Sequence, residues 1–369
     1  MTRFWVGGYG SAMDGQAEGI GLLAGDADRQ TSLAYRGAVT QTPSPSWLAQ
    51  HPTLDVVYAA LEADAGVQAF VRSGESSLQP LGEPVAVGDG VCHVAVAPRG
   101  DFVVASCYGD GRVVRIGVDP QGRLIADAVN KAAELRAALL GEPLEAAAPA
   151  GVAASASDPY AGARTAEGGE RVSHAHAAAF LADGRIATTD LGFDLVRIWR
   201  HGAHGLILDH EVALPMGTGP RHMVVHPSGH LHVVTEYSCE VFTLAAGVDG
   251  TWAVVGSVLT SPIAEIGTDF PAELARSRDG QFVYTALRGS NTIAALRVRG
   301  AGESLEPFAL ADSGVDWPRH HLVHEGKMLV AGQRSDTVAL LDLDERTGAP
   351  LGIRHRTVVP TPTHFLPVR

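Results

Sequence analysis

"GPRHMVVHPSGHLHVVTE", residues 219–236, carries an arginine near its start, a glutamate at its end and a Pro-Ser-Gly break halfway. Apolar residues fill both sides of the break, as expected for two short strands folded back on each other through a tight turn. In an antiparallel hairpin the start of the first strand and the end of the second lie at the same end of the sheet. Arg221 and Glu236, fifteen positions apart, are therefore expected side by side, with the turn at the far end.

The phrase recurs. Its copies are "PSWLAQHPTLDVVYAALEADAGVQAF" from Pro45, "VCHVAVAPRGDFVVASCYGDGRVVRI" from Val91, "HAHAAAFLADGRIATTDLGFDLVRIW" from His174, "GPRHMVVHPSGHLHVVTEYSCEVFTL" from Gly219, "PAELARSRDGQFVYTALRGSNTIAAL" from Pro271 and "WPRHHLVHEGKMLVAGQRSDTVALL" from Trp317. Turn glycines Gly184, Gly229, Gly280 and Gly326 mark a unit of about 45 to 50 residues, the size of one four-stranded propeller blade, which must stack on neighbours to bury its faces. The terminal stretches "RFWVGGY" and "HFLPVR" also read as strands, and pairing them makes a seventh blade and removes an exposed sheet edge. The expectation is an all-β, seven-bladed β-propeller of four-stranded antiparallel blades, one domain over residues 1–369, its ring closed by the N- and C-terminal strands in one blade. An Ala/Gly-rich insertion at about 128–170 interrupts the spacing between blades two and three.

Composition agrees and excludes some functions. The 369 residues are 46% hydrophobic and 19% charged, with 43 glycines and 21 prolines, which suits many short strands joined by tight turns. A net charge of −13 argues against a nucleic-acid partner, which calls for a basic surface. Cys92, Cys107 and Cys239 show neither a disulfide framework nor a CxxC metal spacing, and no signal-peptide or membrane-spanning run is evident. A cytoplasmic protein without a membrane partner, monomeric or a weak homo-oligomer, is expected.

Applying the hairpin construction to every copy gathers polar side chains at one rim: His176 and Asp190 from blade three, Arg288 from blade five, Arg319 and Gln333 from blade six. Blade two adds Cys92, His93 and Tyr108, blade one Trp47 and Glu62, and the N-terminal strand Tyr9. An acidic chain that concentrates cationic side chains at one mouth is suited to receive an anion. A carboxylate opposed by arginines and a histidine suits addition of water to an activated carbonyl such as a cyclic ester. The Arg221–Glu236 pair would also serve as a structural ion pair between strands. His174 and His176, two apart on a strand, face one side and could share a metal ion, but no HExxH motif or EF-hand loop supports a metal, and GxSxG, P-loop and GxGxxG patterns are missing. The pairs His222/His226 and His230/His232 are expected to cap strands or lie on the surface.

The motifs "GGYG" (7–10), "PSWLAQHP" (45–52), "CHVAVAPRG" (92–100), "HAHAAAFLADGR" (174–185), "DLGFDLVRIW" (190–199), "GPRHMVVHPSG" (219–229), "TEYSCEVF" (235–242), "ALRGSNTIAAL" (286–296) and "PRHHLV" (318–323) cover almost the whole chain. With them the sequence resembles the seven-bladed propeller lactonases, a family that includes cycloisomerase-like 6-phosphogluconolactonases and carboxymuconate lactonizing enzymes. The resemblance implies an active-site set of one histidine, two arginines and a glutamate, carried here by His176, Arg221, Arg288 and Glu236. The implied reaction is hydrolysis of a small anionic sugar lactone, 6-phosphogluconolactone first, with Glu236 as general base, the arginines binding the oxyanion and His176 as acid or orienting group. His93, Tyr108, His174, Asp190, Arg319 and Gln333 are expected to bind substrate, with no cofactor or metal. A cycloisomerase and a non-enzymatic binding scaffold are the alternatives.

Overall fold

Each copy of the repeated phrase becomes one antiparallel sheet, and the chain's two ends supply the seventh, in a computed structural model that describes residues 2–26, 29–125, 158–165, 168–202 and 205–369. Blade four is typical: Pro220–Val225, Leu231–Thr235, Glu240–Ala246 and Trp252–Leu259 run in order from the channel outward. In blade one a further short strand, Val85–Ala86, pairs with Gly66–Arg72. Ring closure is by the C-terminal strand: Pro367, Leu366 and Phe365 pair with Phe4, Trp5 and Val6, so Pro362–Pro367 is the innermost strand of a blade whose outer three come from the N-terminus.

Hydrophobic burial follows the junctions between blades. Seven apolar clusters form, one per junction: Tyr58, Val67, Val94 and Val103 between blades one and two, for example, and Phe4, Val6, Leu329 and Leu340 between six and seven. The strands are therefore apolar on both faces, as those of stacked sheets must be, and each blade depends on its neighbours for stability.

One irregularity repeats in all seven blades. Near the mouth, the pairing of the innermost strand with the next one slips: Pro220 faces Thr235 but His222 faces Val234, leaving Arg221 as the extra residue. Equivalent slips occur between Pro45 and Trp47, Val91 and His93, Ala175 and Ala178, Pro271 and Leu274, Pro318 and His320, and Pro362 and His364. A β-bulge re-aims the side chains around it, so consecutive residues of the inner strand, rather than alternate ones, both reach the channel. Most of the 128–170 insertion lies outside the described residues. Beside its described end, Arg171 ion-pairs with Asp158 (3.0 Å) and Asp194 (2.9 Å). Among the described residues no helix is long and apolar enough to cross a membrane.

Candidate active site

The bulges arrange the channel lining in layers. The extra residue of each bulge and the residue following each second strand form the mouth, and the residues next along the inner strands form a floor beneath it. By strand pairing, Cys92, His176 and Arg319 occupy the position of Arg221, while Glu62, Tyr108, Arg288, Gln333 and Tyr9 occupy that of Glu236.

Glu236 is the centre of the mouth. Its Oε2 lies 2.8 Å from Arg221 Nε and 2.8 Å from Arg288 Nη2, and both arginine side chains are almost fully buried. No ion pair claims Oε1 among the described residues. Burial pushes this carboxyl up, but Arg288 and then Arg221 outweigh it and hold the group below the ordinary glutamate range. Burial in turn lowers Arg288 to about 10, with Glu236 opposing the shift, and Arg288 Nε donates to the Phe270 carbonyl at 2.9 Å. The backbone that delivers Arg221 is fixed by Gly219, whose φ is +64° and whose amide donates to Asp194 Oδ1 at 2.7 Å. A Cβ at residue 219 would fall 2.6 Å from the Tyr237 ring, so glycine is needed both for the conformation and for the space.

His176 is buried at the same mouth. Its Nδ1 has no hydrogen-bond partner among the described residues, and burial, followed by Arg221 and Arg319, holds the imidazole neutral by lowering it well below its ordinary range. Arg319 completes the cationic side: its guanidinium lies over the Tyr9 ring at 4.9 Å and reaches Gln333 Oε1 at 3.3 Å, while the Tyr9 hydroxyl donates to Glu62 Oε1 at 3.1 Å. Tyr108 and His174 form the outer rim, stacked at 4.3 Å, with His174 Nδ1 2.6 Å from the Tyr108 carbonyl. The Tyr108 hydroxyl also hydrogen-bonds Tyr237, a rim residue not anticipated from the sequence.

Three expectations need correction. Asp190 does not face the mouth: it is fully buried, pairs with Arg197 at 2.5 Å and accepts the amides of His174, Gly192 and Phe193. The pairing of Ala175 with Asp190 matches that of Pro220 with Thr235, so Leu191 stands where blade four has Glu236, and Asp190 is one residue out of frame. His93 is not at the mouth but in the floor, its ring 4.4 Å from that of Trp47. His222 and His232 are buried rather than superficial: His222 joins the same floor, 5.3 Å from Trp47, and His232 is enclosed within its blade beside Thr243.

The floor as a whole was not anticipated. Trp47 packs against His93, His222, His320 and His364, all buried and all held neutral by burial, and Glu273 completes the layer beside His222 and His320. A signal was present: Trp47, His222, Glu273, His320 and His364 each stand two residues after a proline in "PSW", "PRH", "PAE", "PRH" and "PTH". Among the described residues there is no cluster of three or more side chains placed to hold a metal ion. The mouth can receive an anion against the three guanidiniums of Arg221, Arg288 and Arg319 and place it beside the Glu236 carboxylate and the neutral His176 imidazole, with Glu62 the layer's second carboxylate.

Comparison with known proteins agrees with this architecture. The family model described as "Lactonase, 7-bladed beta-propeller" matches residues 3–367. The 6-phosphogluconolactonase of Bacillus subtilis (strain 168) is 24% identical over 370 residues, covering 98% of this chain and 97% of that one. Two solved structures share the fold: the periplasmic gluconolactonase of Pseudomonas aeruginosa, with TM-score 0.84 and 20% identity over 100% and 99% of the two chains, and a Lactobacillus plantarum protein, with TM-score 0.81 and 23% identity over 99% and 100%. The chain belongs to the seven-bladed β-propeller lactonase family.

Proposed function

We propose that this protein hydrolyses a small anionic sugar lactone, with 6-phosphogluconolactone the first substrate to test. The observation that carries the reading is the asymmetry of Glu236: one oxygen is held between two guanidiniums at 2.8 Å, and the other is left to accept from a water molecule. Water attacks the lactone carbonyl carbon, and its proton passes to Glu236 Oε1. Arg221 and Arg288 lie where they can stabilise the oxyanion as it develops. Collapse breaks the acyl carbon–oxygen bond, and the ring oxygen leaves as a hydroxyl, recovering the proton from Glu236 with the neutral His176 orienting the transfer.

The strong Arg pairing makes Glu236 a weak base in the resting site. An anionic substrate that shares those guanidiniums lessens their hold on the carboxylate and raises its basicity, so binding of the correct charge prepares the base. The test follows acid release above the spontaneous rate with 6-phosphogluconolactone and with unphosphorylated gluconolactone. Catalysis that Glu236→Gln abolishes is the expected result. Full activity in that variant, or no acceleration of either lactone by the native protein, would overturn the proposal.

A further inference from the structure

The floor beneath the mouth holds a carboxyl that the reaction above does not use. Glu273, on the inner strand Phe270–Arg276 of blade five, has a side chain only 8% exposed. Its Oε1 lies 3.6 Å from His222 Nδ1 and 3.9 Å from His320 Nε2. Unlike Glu236, it has no guanidinium within ion-pair distance among the described residues. The charged or titratable groups around it come from every neighbouring element: Arg221 and His222 from blade four, His320 and His321 from blade six, Arg288 from its own hairpin, and His93 and His364, whose rings lie next to those of His222 and His320. Burial leaves all these imidazoles neutral, and the same burial pushes the Glu273 carboxyl well above the ordinary glutamate range, opposed by Arg221.

We propose that Glu273, placed in the floor between His222, His320 and Arg221, determines this site's selectivity for anionic over neutral ligands. The inference rests on the anion-binding lactonase reading above. In the mouth layer three guanidiniums, Arg221, Arg288 and Arg319, face two carboxylates, Glu62 and Glu236, which leaves one net positive charge. A protonated Glu273 adds nothing to that sum. Once ionised it cancels the surplus and competes with Glu236 for Arg221. The sign follows: rising pH removes the Glu273 proton, so anion affinity falls with pH. Other groups of the mouth change little up to about pH 9: burial pushes Tyr9, Tyr108 and Tyr237 up and Cys92 up to about 12, and Arg288, lowered to about 10, is still largely charged there.

Sulfate, whose charge is constant over this range, is the probe. Its binding to the intact protein is measured by titration calorimetry from about pH 7.5 to about pH 9, a window above the ordinary histidine value and below that of tyrosine. The native affinity should fall by well over about tenfold, because the new negative charge beneath the mouth repels both charges of the sulfate dianion. Glu273→Gln should bind as tightly as the native protein does at the low end and show no fall. A variant curve that follows the native one, or a flat native curve, overturns the proposal while leaving the lactonase reading intact. Failure of both proteins to bind sulfate at any pH overturns the anion-site reading together with it. Should Glu273→Gln not fold, infrared spectroscopy of the native protein decides the matter. The carbonyl stretch of a protonated carboxylic acid must be present at neutral pH and vanish over the interval in which sulfate affinity falls, and its absence at neutral pH overturns the proposal.

Discussion

Replacing Glu236 with glutamine should do more than remove the proposed base. The carboxylate is the common partner of Arg221 and Arg288, whose side chains are only 5% and 6% exposed. Glutamine keeps the volume but leaves two guanidiniums facing each other in a buried layer without their shared counter-charge. Removing one partner of a buried ion pair typically costs about 3 to 5 kcal/mol, because the charge left behind is neither solvated nor paired. Unfolding entropy of about 2.1 cal/mol/K per residue gives about 0.8 kcal/mol/K for a chain of this length, so the loss corresponds to a fall in Tm of about 4 to 6 °C. Sulfate should occupy the vacated charge and restore stability, by about 2.7 kcal/mol at a hundred times its dissociation constant. The assay is thermal unfolding of native and variant protein with and without sulfate, with chloride at equal ionic strength as control. A variant as stable as the native protein, or one that sulfate stabilises no more than it does the native protein, would refute the idea that Glu236 is held by otherwise uncompensated arginines.

Acid should destabilise the fold steeply: His93 and His321 are lowered to about 3 and His232 to about 4 by burial, so at pH 5 the unfolded chain binds at least three protons that the folded one does not. Stability measured by urea unfolding should therefore fall by about 4 kcal/mol per pH unit below the ordinary histidine value of about 6.5, and a pH-independent result between pH 6 and pH 5 contradicts the burial. Gly219→Ala should lower stability by about 1 to 3 kcal/mol and impair the site, since it places a Cβ against the Tyr237 ring at a positive φ; unchanged Tm and KM would count against it. Asp190→Ala should cost about 3 kcal/mol, because Arg197 keeps only Glu211 (3.1 Å) and the amides of His174, Gly192 and Phe193 lose their acceptor, while the KM for an anionic lactone in the folded fraction stays unchanged. A large rise in KM would instead return Asp190 to substrate binding.

The ring was legible because each blade repeats the same strand-turn-strand phrase, and a one-residue error in any copy leaves the blade count unchanged. Site residues were less forgiving. Strict alternation along a strand predicts that Arg221 and His222 point to opposite faces, and only the bulge turns both to the channel. Pro220, Pro271 and Pro318 mark the start of that irregularity in the sequence, but the pairing slip depends on contacts between strands that no single stretch specifies. The hairpin construction put Asp190 at the rim, but the mouth position of blade three falls on Leu191, and Asp190, one residue before it, is held in an internal pair with Arg197. Glu273 escaped notice because an isolated acidic residue in an apolar stretch gives no sign of partners that come from other blades.

The floor has an order of assembly built into it. His364 stands in the innermost strand of the closing blade, in contact with both Trp47 and His320, so the floor is complete only once that strand has joined its blade. Before that closure the other blades can form and stack while the pore remains a gapped arc. Arg221, Glu236 and Arg288 gain their complete support only when Pro362–Pro367 seats against Arg3–Gly8, so a chain truncated before Pro362 would hold them without the finished platform beneath them.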